Sequence, residues 1–324
     1  MQNYSSIEKL LHDIVLSKKI INRSLFELEK ILYLKDNKIQ NQEHVFITGL
    51  PRSGTTSLLN FIYSSNVYAS LKYKNMPFIL SPNISKFFNK KEISKKERLH
   101  GDGITFDINS PEALDEFFFN NNEDFIKREL LNYLKLILIS YNKDKYLSKN
   151  NLNYKRIELI SEILPKSKFL IIIRDPLQHS YSLLNQHIHF CRLQKKDDFI
   201  KRYMNYLGHN EFGLNHKSWN NPINFNNYND INYWIEQWGL FYQNILNKYS
   251  NHENCHLIIY EQLTNFDYIK KILKKINMDD ISNIKLNYFK NSNKNIIKSD
   301  IDKFTYQNAK QTYLNFKNQS YLNS

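Results

Sequence analysis

The chain contains few of the residues that end regular elements or cross-link a fold. Its 324 residues include only seven glycines, seven prolines and two cysteines, Cys191 and Cys255. So few cysteines exclude the disulfide framework of a small secreted domain, and the low glycine and proline content excludes a collagen-like or low-complexity chain. Because 41% of the residues are hydrophobic and 14% aromatic, we expect a globular protein with a full core.

Long apolar runs are also missing. The longest, residues 134–139 and 169–173, fall far short of the ~20 residues that span a bilayer. The N-terminal residues MQNYSSIEKL carry charges within their apolar stripe and lack the h-region and cleavage site of a signal peptide. We therefore expect a cytoplasmic protein without a transmembrane segment.

The net charge of +13 favours anionic ligands. A nucleic acid is one such ligand, because a basic surface binds polyanions through counterion release. The lysines are nevertheless spread along the chain and interleaved with acidic residues, as in residues 90–98 and 195–198. The pattern indicates a positive field that attracts small anions, and a non-catalytic nucleic-acid binder stays as an alternative.

One lysine is missing from a phosphate-binding loop. Residues 44–58, HVFITGLPRSGTTSL, form an apolar strand, a loop and a helix start. A Walker A loop reads G-x-x-x-x-G-K-[ST], but Thr55 stands where the lysine belongs, and Arg52 lies inside the loop. Backbone N–H groups at the helix start would bind a phosphate, with Thr55 and Thr56 as further donors. The alternatives are an ordinary glycine turn and an atypical nucleotide kinase or NTPase.

A second motif follows another apolar strand. In residues 169–182, FLIIIRDPLQHSYS, Arg174 comes directly after the strand, and Ser182 lies about two helical turns further on. Both side chains can face one anion at the carboxyl end of a parallel sheet. The alternative is an arginine paired with Asp175 and an ordinary helix serine.

Strand and helix patterns alternate along most of the chain. We predict strands at residues 44–48, 145–149, 168–173 and 255–260. Helices are predicted at 6–35, 54–63, from Ser110-Pro111-Glu112 to about 141, 153–164, from 176 onward, 231–249 and 269–276. This alternation predicts an α/β fold of the P-loop type, with three layers and a central parallel sheet flanked by helices. The predicted division is a helical N-terminal extension, residues 1–40, and a single domain, residues 41–324, with irregular substrate-binding insertions.

Together the two motifs resemble the sulfotransferases that use 3′-phosphoadenosine 5′-phosphosulfate. That family has a P-[KR]-S-G-T-T loop, matched here by Pro51, Arg52, Ser53, Gly54, Thr55 and Thr56, and an R-[DN]-P element with a serine eight residues later, matched by Arg174 and Ser182. The arginine form of the loop is closer to the tyrosylprotein sulfotransferases and a bacterial group than to the hormone and phenol enzymes. The resemblance implies a nucleotide donor, adenosine 3′,5′-bisphosphate as product, a hydroxyl-bearing acceptor and no metal.

The resemblance extends to four further residues. Lys149 is similar to a lysine that contributes to the active site of the family, and Tyr260 to the tyrosine of a Y-E-x-L element near the nucleotide. Ser292 and Lys298 resemble a late serine and lysine that close over the nucleotide in the tyrosylprotein enzymes. The resemblance implies that Lys149 is catalytic and that the other three bind the nucleotide.

At the positions where known members of the family carry the general base, this sequence has other residues. Asn151 stands where hormone-type enzymes have a histidine, and residues 71–74, LKYK, occupy the place of the glutamate in tyrosylprotein enzymes. The remaining candidates are Glu116 and then His100. A helix from Ser110 would place Glu112 and Glu116 on one face, although such glutamates also simply favour a helix N-terminus.

The predicted reaction is transfer of a sulfuryl group to an acceptor hydroxyl, with Arg52 and Lys149 stabilising negative charge and Glu116 or His100 accepting the proton. The irregular segments 64–109 and 190–230 are candidates for the acceptor site. The acceptor itself, whether carbohydrate, tyrosine or small metabolite, stays open.

Overall fold

A five-stranded parallel sheet forms the centre of the molecule. The structure, a computed structural model, describes residues 19–34, 42–88, 96–97, 105–206, 210–220, 223–278, 288–289 and 301–322. The sheet consists of β1 (Val45–Thr48), β2 (Tyr68–Ala69), β5 (Lys145–Lys149), β6 (Lys168–Ile173) and β7 (Cys255–Ile259), in the order β2-β5-β1-β6-β7. All four pairings are parallel. A separate antiparallel pair joins β3 (Lys96–Glu97) to β4 (Thr105–Phe106).

Helices cover the sheet, which confirms the predicted α/β class. They are α1 (Lys19–Tyr33), α2 (Thr55–Tyr63), α3 (Glu116–Phe119), α4 (Glu123–Tyr141), α5 (Ile157–Ile163), α6 (Pro176–Lys196), α7 (Asp198–Tyr206), α8 (Ile231–Tyr249), α9 (Phe266–Lys275) and α10 (Lys303–Leu322). Short 3₁₀ turns occur at Tyr73–Asn75, Ile84–Phe87, Asn153–Arg156 and Tyr260–Gln262. The two central strands are continuous apolar runs because both of their faces are buried under helices.

The parallel arrangement brings the ends of distant segments together. Register pairs Ile47 with both Lys149 and Leu170, so the carboxyl ends of β1, β5 and β6 meet at one edge of the sheet. The residues that follow these strands therefore become neighbours in space, as expected for ligand sites in this architecture. We call this side of the sheet the carboxyl edge.

The start of the second helical region differs from the prediction. Pro111 forms a β-bridge with Lys72, and Glu112 N donates to Leu71 O at 3.0 Å, so the chain is extended there and not helical. The helix begins only at Glu116, and α4 is a separate helix. Glu112 and Glu116 therefore do not share a helix face, because pairing with residues 71–74 satisfies the backbone of the intervening segment.

At the N-terminus the described residues agree with the predicted helix 6–35, whose residues 6–18 lie outside the described part of the chain, whereas the C-terminal region differs from the prediction. The described part of the first helix covers Lys19–Tyr33, where Phe26 is buried and its ring lies 6.2 Å from that of Phe125 in α4. The helix α10 was not predicted at all, yet it packs along α8 and β7. Its buried residues Ala309, Tyr313 and Phe316 have helical spacing but lie among many asparagines, glutamines and lysines. The division at residue 40 stays a prediction.

Candidate active site

The loop between β1 and α2 has an unusual backbone at three positions. Gly49, Arg52 and Gly54 have φ values of 147°, 70° and 101°. A side chain at Gly54 is excluded by space as well as by φ, because a Cβ there would lie 2.3 Å from Tyr260 Cδ2. The loop therefore closes tightly against Tyr260, which follows β7. Arg52 adopts a left-handed backbone conformation that is uncommon for residues other than glycine.

Buried side chains support the loop from behind. His179 of α6 lies 2.7 Å through Nε2 from Pro51 O, and Trp238 Nε1 donates to His179 Nδ1 at 3.1 Å. Because Nδ1 accepts, the histidine proton is assigned to Nε2, which donates to the loop carbonyl. Tyr242 OH lies between Leu50 N, which donates to it at 3.3 Å, and Ile172 O, to which it donates at 2.9 Å. The interior thus fixes the loop at two backbone positions.

Burial keeps His179 neutral. The side chain is fully buried, and this burial lowers its pKa to about 3, with a smaller contribution from the nearby charges of Arg174 and Arg52. A neutral imidazole can accept from Trp238 and donate to Pro51 at the same time, whereas a protonated one cannot accept. Sequence reasoning missed this residue, although its position three residues before Ser182 places both on one side of α6.

The two predicted phosphate sites adjoin. Arg52 Nε donates to Ser182 Oγ at 3.2 Å, although the two residues are 130 positions apart. The Arg174 guanidinium lies 5.2 Å from the centre of the Tyr260 ring, and its Nη1 is 3.5 Å from Arg52 O. The structure therefore brings Arg52, Gly54, Arg174, Ser182 and Tyr260 together at the carboxyl edge.

A carboxylate and a C-terminal tyrosine hold the turn after β6. Asp175 N donates to Glu261 Oε1 at 2.7 Å, and Tyr313 OH of α10 donates to Glu261 Oε2 at 2.7 Å. Asp175 Oδ1 in turn caps α6 by accepting from Leu177 N and Gln178 N. Asp175 is therefore a helix cap, and the ion pairs found among the described residues do not join it to Arg174. Neither Glu261 nor Tyr313 was found from the sequence.

The end of β5 connects the loop helix to a carboxylate cluster. Lys149 is 8% exposed, and the next residue, Asn150, donates through Nδ2 to Glu116 Oε2 at 2.7 Å. Asn151 lies on the other side, with its Oδ1 3.5 Å from Thr55 Oγ1. Asn151, which replaces the histidine of hormone-type enzymes, thus faces the loop helix and not the carboxylates.

Two carboxyl groups lie buried beside this strand end. Arg156 Nη2 donates to both oxygens of Glu116 at 2.8 Å. Asp115 accepts from Asn150 Nδ2 at 3.2 Å and from the hydroxyl of Ser148. Burial raises the pKa of Glu116, although Arg156 opposes the shift, and burial likewise raises the pKa of Asp115. One arginine therefore balances two buried acidic groups.

Some predicted residues cannot be placed. His100, Ser292 and Lys298 lie outside the described residues. The segment around Ser53 and Thr56 is placed in the loop and at the start of α2, as predicted. Across the described part of the chain, no helix is long and apolar enough to cross a membrane, and no group of three or more His, Cys, Asp or Glu side chains is placed to hold a metal.

Comparisons with known proteins agree with this geometry. The crystal structure of the sulfotransferase STF1 of Mycobacterium tuberculosis superposes with a TM-score of 0.50 at 11% identity, covering 86% of this chain and 79% of that one, which shows a shared fold. The sulfotransferase STF9 of Mycobacterium avium gives a TM-score of 0.45 at 12% identity, covering 92% and 73%. No curated protein sequence matches the chain significantly. The model of the sulfotransferase family matches residues 44–278, most of the chain, and the chain therefore belongs to the sulfotransferase family.

Proposed function

We propose that the chain transfers a sulfuryl group from 3′-phosphoadenosine 5′-phosphosulfate to a hydroxyl of an acceptor. The observation that carries this proposal is the 3.2 Å hydrogen bond from Arg52 Nε to Ser182 Oγ. It joins a residue of the first phosphate motif to a residue of the second. One nucleotide with phosphate groups at both its 5′ and 3′ positions would contact both motifs at once.

The donor set fits such a nucleotide. Arg52 and Arg174 supply two fixed positive charges, and Ser182, Thr55 and Thr56 supply hydroxyl donors. Guanidinium groups match phosphate geometry through paired hydrogen bonds. The tight contact of Gly54 with Tyr260 supports the assignment of Tyr260 as a nucleotide contact. We assign Pro51, Ser53 and Gly54 to the same site, and keep Ser292 and Lys298 as further contacts on the resemblance alone.

Three residues carry the proposed chemistry. When bound, the nucleotide supplies a sulfuryl group whose S–O bond to the 5′-phosphate breaks as a bond to the acceptor oxygen forms. Arg52 and the buried Lys149 stabilise the negative charge that builds on the leaving phosphate. Glu116 accepts the acceptor's proton, and His100 is the second candidate for this role. Asn150 and Arg156 orient the Glu116 carboxylate through the hydrogen bonds described above.

Binding measurements test the nucleotide assignment. Isothermal titration calorimetry should show that adenosine 3′,5′-bisphosphate binds about tenfold or more tightly than AMP, because the 3′-phosphate gains charge-assisted hydrogen bonds. Arg174→Ala and Ser182→Ala should each reduce this preference, whereas Arg192→Ala, on the exposed side of the same helix, should not. Equal affinity of the two nucleotides for the unaltered protein would refute the 3′-phosphate site.

Transfer assays separate the proposal from an atypical kinase or NTPase. Transfer of ³⁵S from labelled donor should continue in EDTA and be inhibited by adenosine 3′,5′-bisphosphate, since fixed cations replace the magnesium on which kinases depend. Arg52→Ala should abolish transfer. Magnesium-dependent turnover of ATP, with no sulfuryl transfer, would favour the kinase or NTPase instead.

The Glu116 assignment has its own test. Glu116→Gln should lower kcat about 100-fold or more, because it removes the proton acceptor, and should leave the affinity for the bisphosphate unchanged. Glu112→Gln is the matched control, since Glu112 accepts from Tyr73 OH at 2.6 Å in the extended segment before α3. Equal losses of kcat in the two variants would remove Glu116 from the catalytic role.

A further inference from the structure

Three lysines lie together beyond the carboxyl end of β2. Lys72 Nζ lies 5.0 Å from the centre of the Tyr141 ring, and Lys74 Nζ lies 5.5 Å from the same centre. Lys86, in the following 3₁₀ turn, is close enough to Lys74 for the two charges to repel each other. We call Lys72, Lys74 and Lys86 the lysine cluster. Its members come from one segment, residues 72–86, that the nucleotide site does not use.

The positive charge of the lysine cluster is poorly balanced. Among the residues that the structure describes, the ion pairs found do not include any of the three lysines. Asp107 attracts Lys72 and Glu29 attracts Lys86, but only from beyond ion-pair distance. Glu29 is fully buried and already accepts from the amide N–H groups of Asn83 at 2.8 Å. These carboxylates therefore do not neutralise the cluster.

Partial burial of Lys72 and Lys74 raises the free-energy cost of leaving their positive charges unbalanced. Burial lowers the pKa of Lys72 and Lys74, and for Lys74 the charge of Lys72 adds to the shift. Lys86 is exposed, and the nearby charge of Lys74 contributes to lowering its pKa. A lowered lysine pKa means that the charged form has lost hydration without gaining an equivalent partner. An anion placed among the ammonium groups would restore that interaction. The faces of Tyr141 and, for Lys72, of Tyr63 at 5.2 Å compensate only in part.

The segment that carries Lys72 and Lys74 pairs with the segment that precedes the proposed catalytic base. Lys74 N donates to Ile108 O at 2.9 Å, and Glu112 N donates to Leu71 O at 3.0 Å, so the lysine segment pairs with the segment that leads into Glu116. In the sheet order, β2 is separated from β1 by β5 alone, whereas Arg174 and Tyr260 follow strands on the opposite side of β1. The cluster thus lies on the side away from the predicted 3′-phosphate site.

We infer that the lysine cluster binds an anionic group, a sulfate, phosphate or carboxylate, carried by the acceptor at a position other than the hydroxyl that receives the sulfuryl group. The acceptor class is then a hydroxyl compound with a fixed negative charge. This inference rests on the proposed function, because it takes the carboxylate side of the loop as the acceptor side. It assigns the lysines to binding and not to the chemical step.

Competitive acetylation tests the inference without turnover. Acetic anhydride reacts with unprotonated amines, so the reactivity of each lysine is followed by mass spectrometry in protein saturated with adenosine 3′,5′-bisphosphate. Glucose 6-sulfate, glucose 6-phosphate or glucuronate should slow acetylation of Lys72 and Lys74 about threefold or more, because a bound anion raises a lysine pKa. Unmodified glucose should not, and the exposed Lys270, over the ring of Phe266 at 4.4 Å, should be unaffected. The three charged sugars distinguish sulfate, phosphate and carboxylate.

Substitutions then assign the effect to the cluster. In equilibrium dialysis, the double variant Lys72→Gln, Lys74→Gln should bind the protecting sugar about tenfold more weakly than the unaltered protein, whereas Lys270→Gln should bind it normally. Protection by no charged sugar, protection by glucose alike, or unaltered sugar binding in the double variant would overturn the lysine assignment. Failure of the bisphosphate to bind would instead contradict the proposed function, so the two failures are distinguishable.

Discussion

At the scale of single residues, His179 links loop geometry to pH. Its folded pKa of about 3 lies below the usual histidine value near 6.5, so folding favours the neutral form. Its contribution to the free energy of unfolding is therefore complete above about pH 6.5 and is lost as the pH falls from there towards 3, by about 1.4 kcal/mol per pH unit. His179→Phe should remove this part of the pH dependence, as measured by urea unfolding at several pH values.

The same substitution separates loop support from general stability. The pKa values of His216 and His256 are also lowered by burial, both to about 4, so the readout is the difference between the profiles of variant and unaltered protein. His179→Phe should also weaken bisphosphate binding, because Pro51 O loses its donor, and His179→Gln should restore part of that affinity. Parallel pH profiles for the two proteins would show that His179 is not the titrating group.

Gly54 is a residue at which one methyl group should be decisive. Gly54→Ala would place Cβ 2.3 Å from Tyr260 Cδ2 at a φ of 101°, so both sterics and backbone oppose it. We expect a loss of bisphosphate affinity of about tenfold or more and a lower Tm. Gly239→Ala is the control, because Gly239 lies within the helix α8 and a Cβ there would meet Ala309 of α10 at an ordinary 3.8 Å. This substitution should raise the free energy of unfolding by about 0.5–1 kcal/mol. Similar effects of the two substitutions would contradict this account.

At the scale of elements, α10 reaches the site although it lies outside the part of the chain that the family model matches. Tyr313 OH donates to Glu261, which in turn accepts from Asp175 N in the turn after Arg174. A hydrogen bond to a carboxylate contributes about 1.5–3 kcal/mol. Because Tyr313 contacts the turn and not the nucleotide, only about 1.4 kcal/mol or less of this should reach the bound state, so Tyr313→Phe should weaken bisphosphate binding by up to about tenfold. Leu314→Ala, at an exposed position of the same helix, should leave it unchanged, as calorimetry would show. Unaltered binding by Tyr313→Phe would make α10 a packing element only.

Strands and helices whose pattern lies within one short segment could be predicted from the sequence. The bounds of β5 and β6 were predicted correctly. For β6 the reason is its short apolar run between polar segments, which has few other solutions in an α/β chain. The extended segment at Pro111 was not predicted, because its pairing with Lys72 depends on residues far away in the sequence. Tertiary pairing there overrides a helix-start pattern that is strong when judged alone.

The candidate site likewise contains residues that the sequence predicts and residues that only the fold brings together. Arg52 and Ser182 could be proposed from motifs, since each follows a strand that ends at the carboxyl edge. The contact of His179 with Pro51 spans 128 positions, and no periodicity in the sequence predicts which carbonyl a buried histidine will meet. The ion pair of Glu116 with Arg156 could not be predicted for the same reason, because the two residues come from different segments that meet only where the folded chain packs at the end of β5. The roles of these residues stay predictions.

At the scale of the whole molecule, the net charge of +13 should act on the rate of nucleotide binding. Long-range attraction of an anion is screened as the Debye length falls from about 30 Å at 0.01 M salt to about 8 Å at 0.15 M. The association rate constant of adenosine 3′,5′-bisphosphate should therefore fall about threefold or more over this range, measured by stopped-flow fluorescence. Adenosine, which is uncharged, is the control. An equal salt effect on both ligands would exclude electrostatic steering.

Because β1 lies at the centre of the strand order, it separates two halves of the candidate site that are assembled differently from the sequence. The half beyond β5 draws its lysines and its glutamate from one continuous stretch, residues 64–119. The half beyond β6 is assembled from residues 174–182, 260–261 and 313, which are dispersed along the chain. Under the proposed function, exchange of a single stretch should change which acceptor is used, while a change of donor should require coordinated changes in three. A transplant of residues 64–119 from another family member is the natural route to a new acceptor specificity.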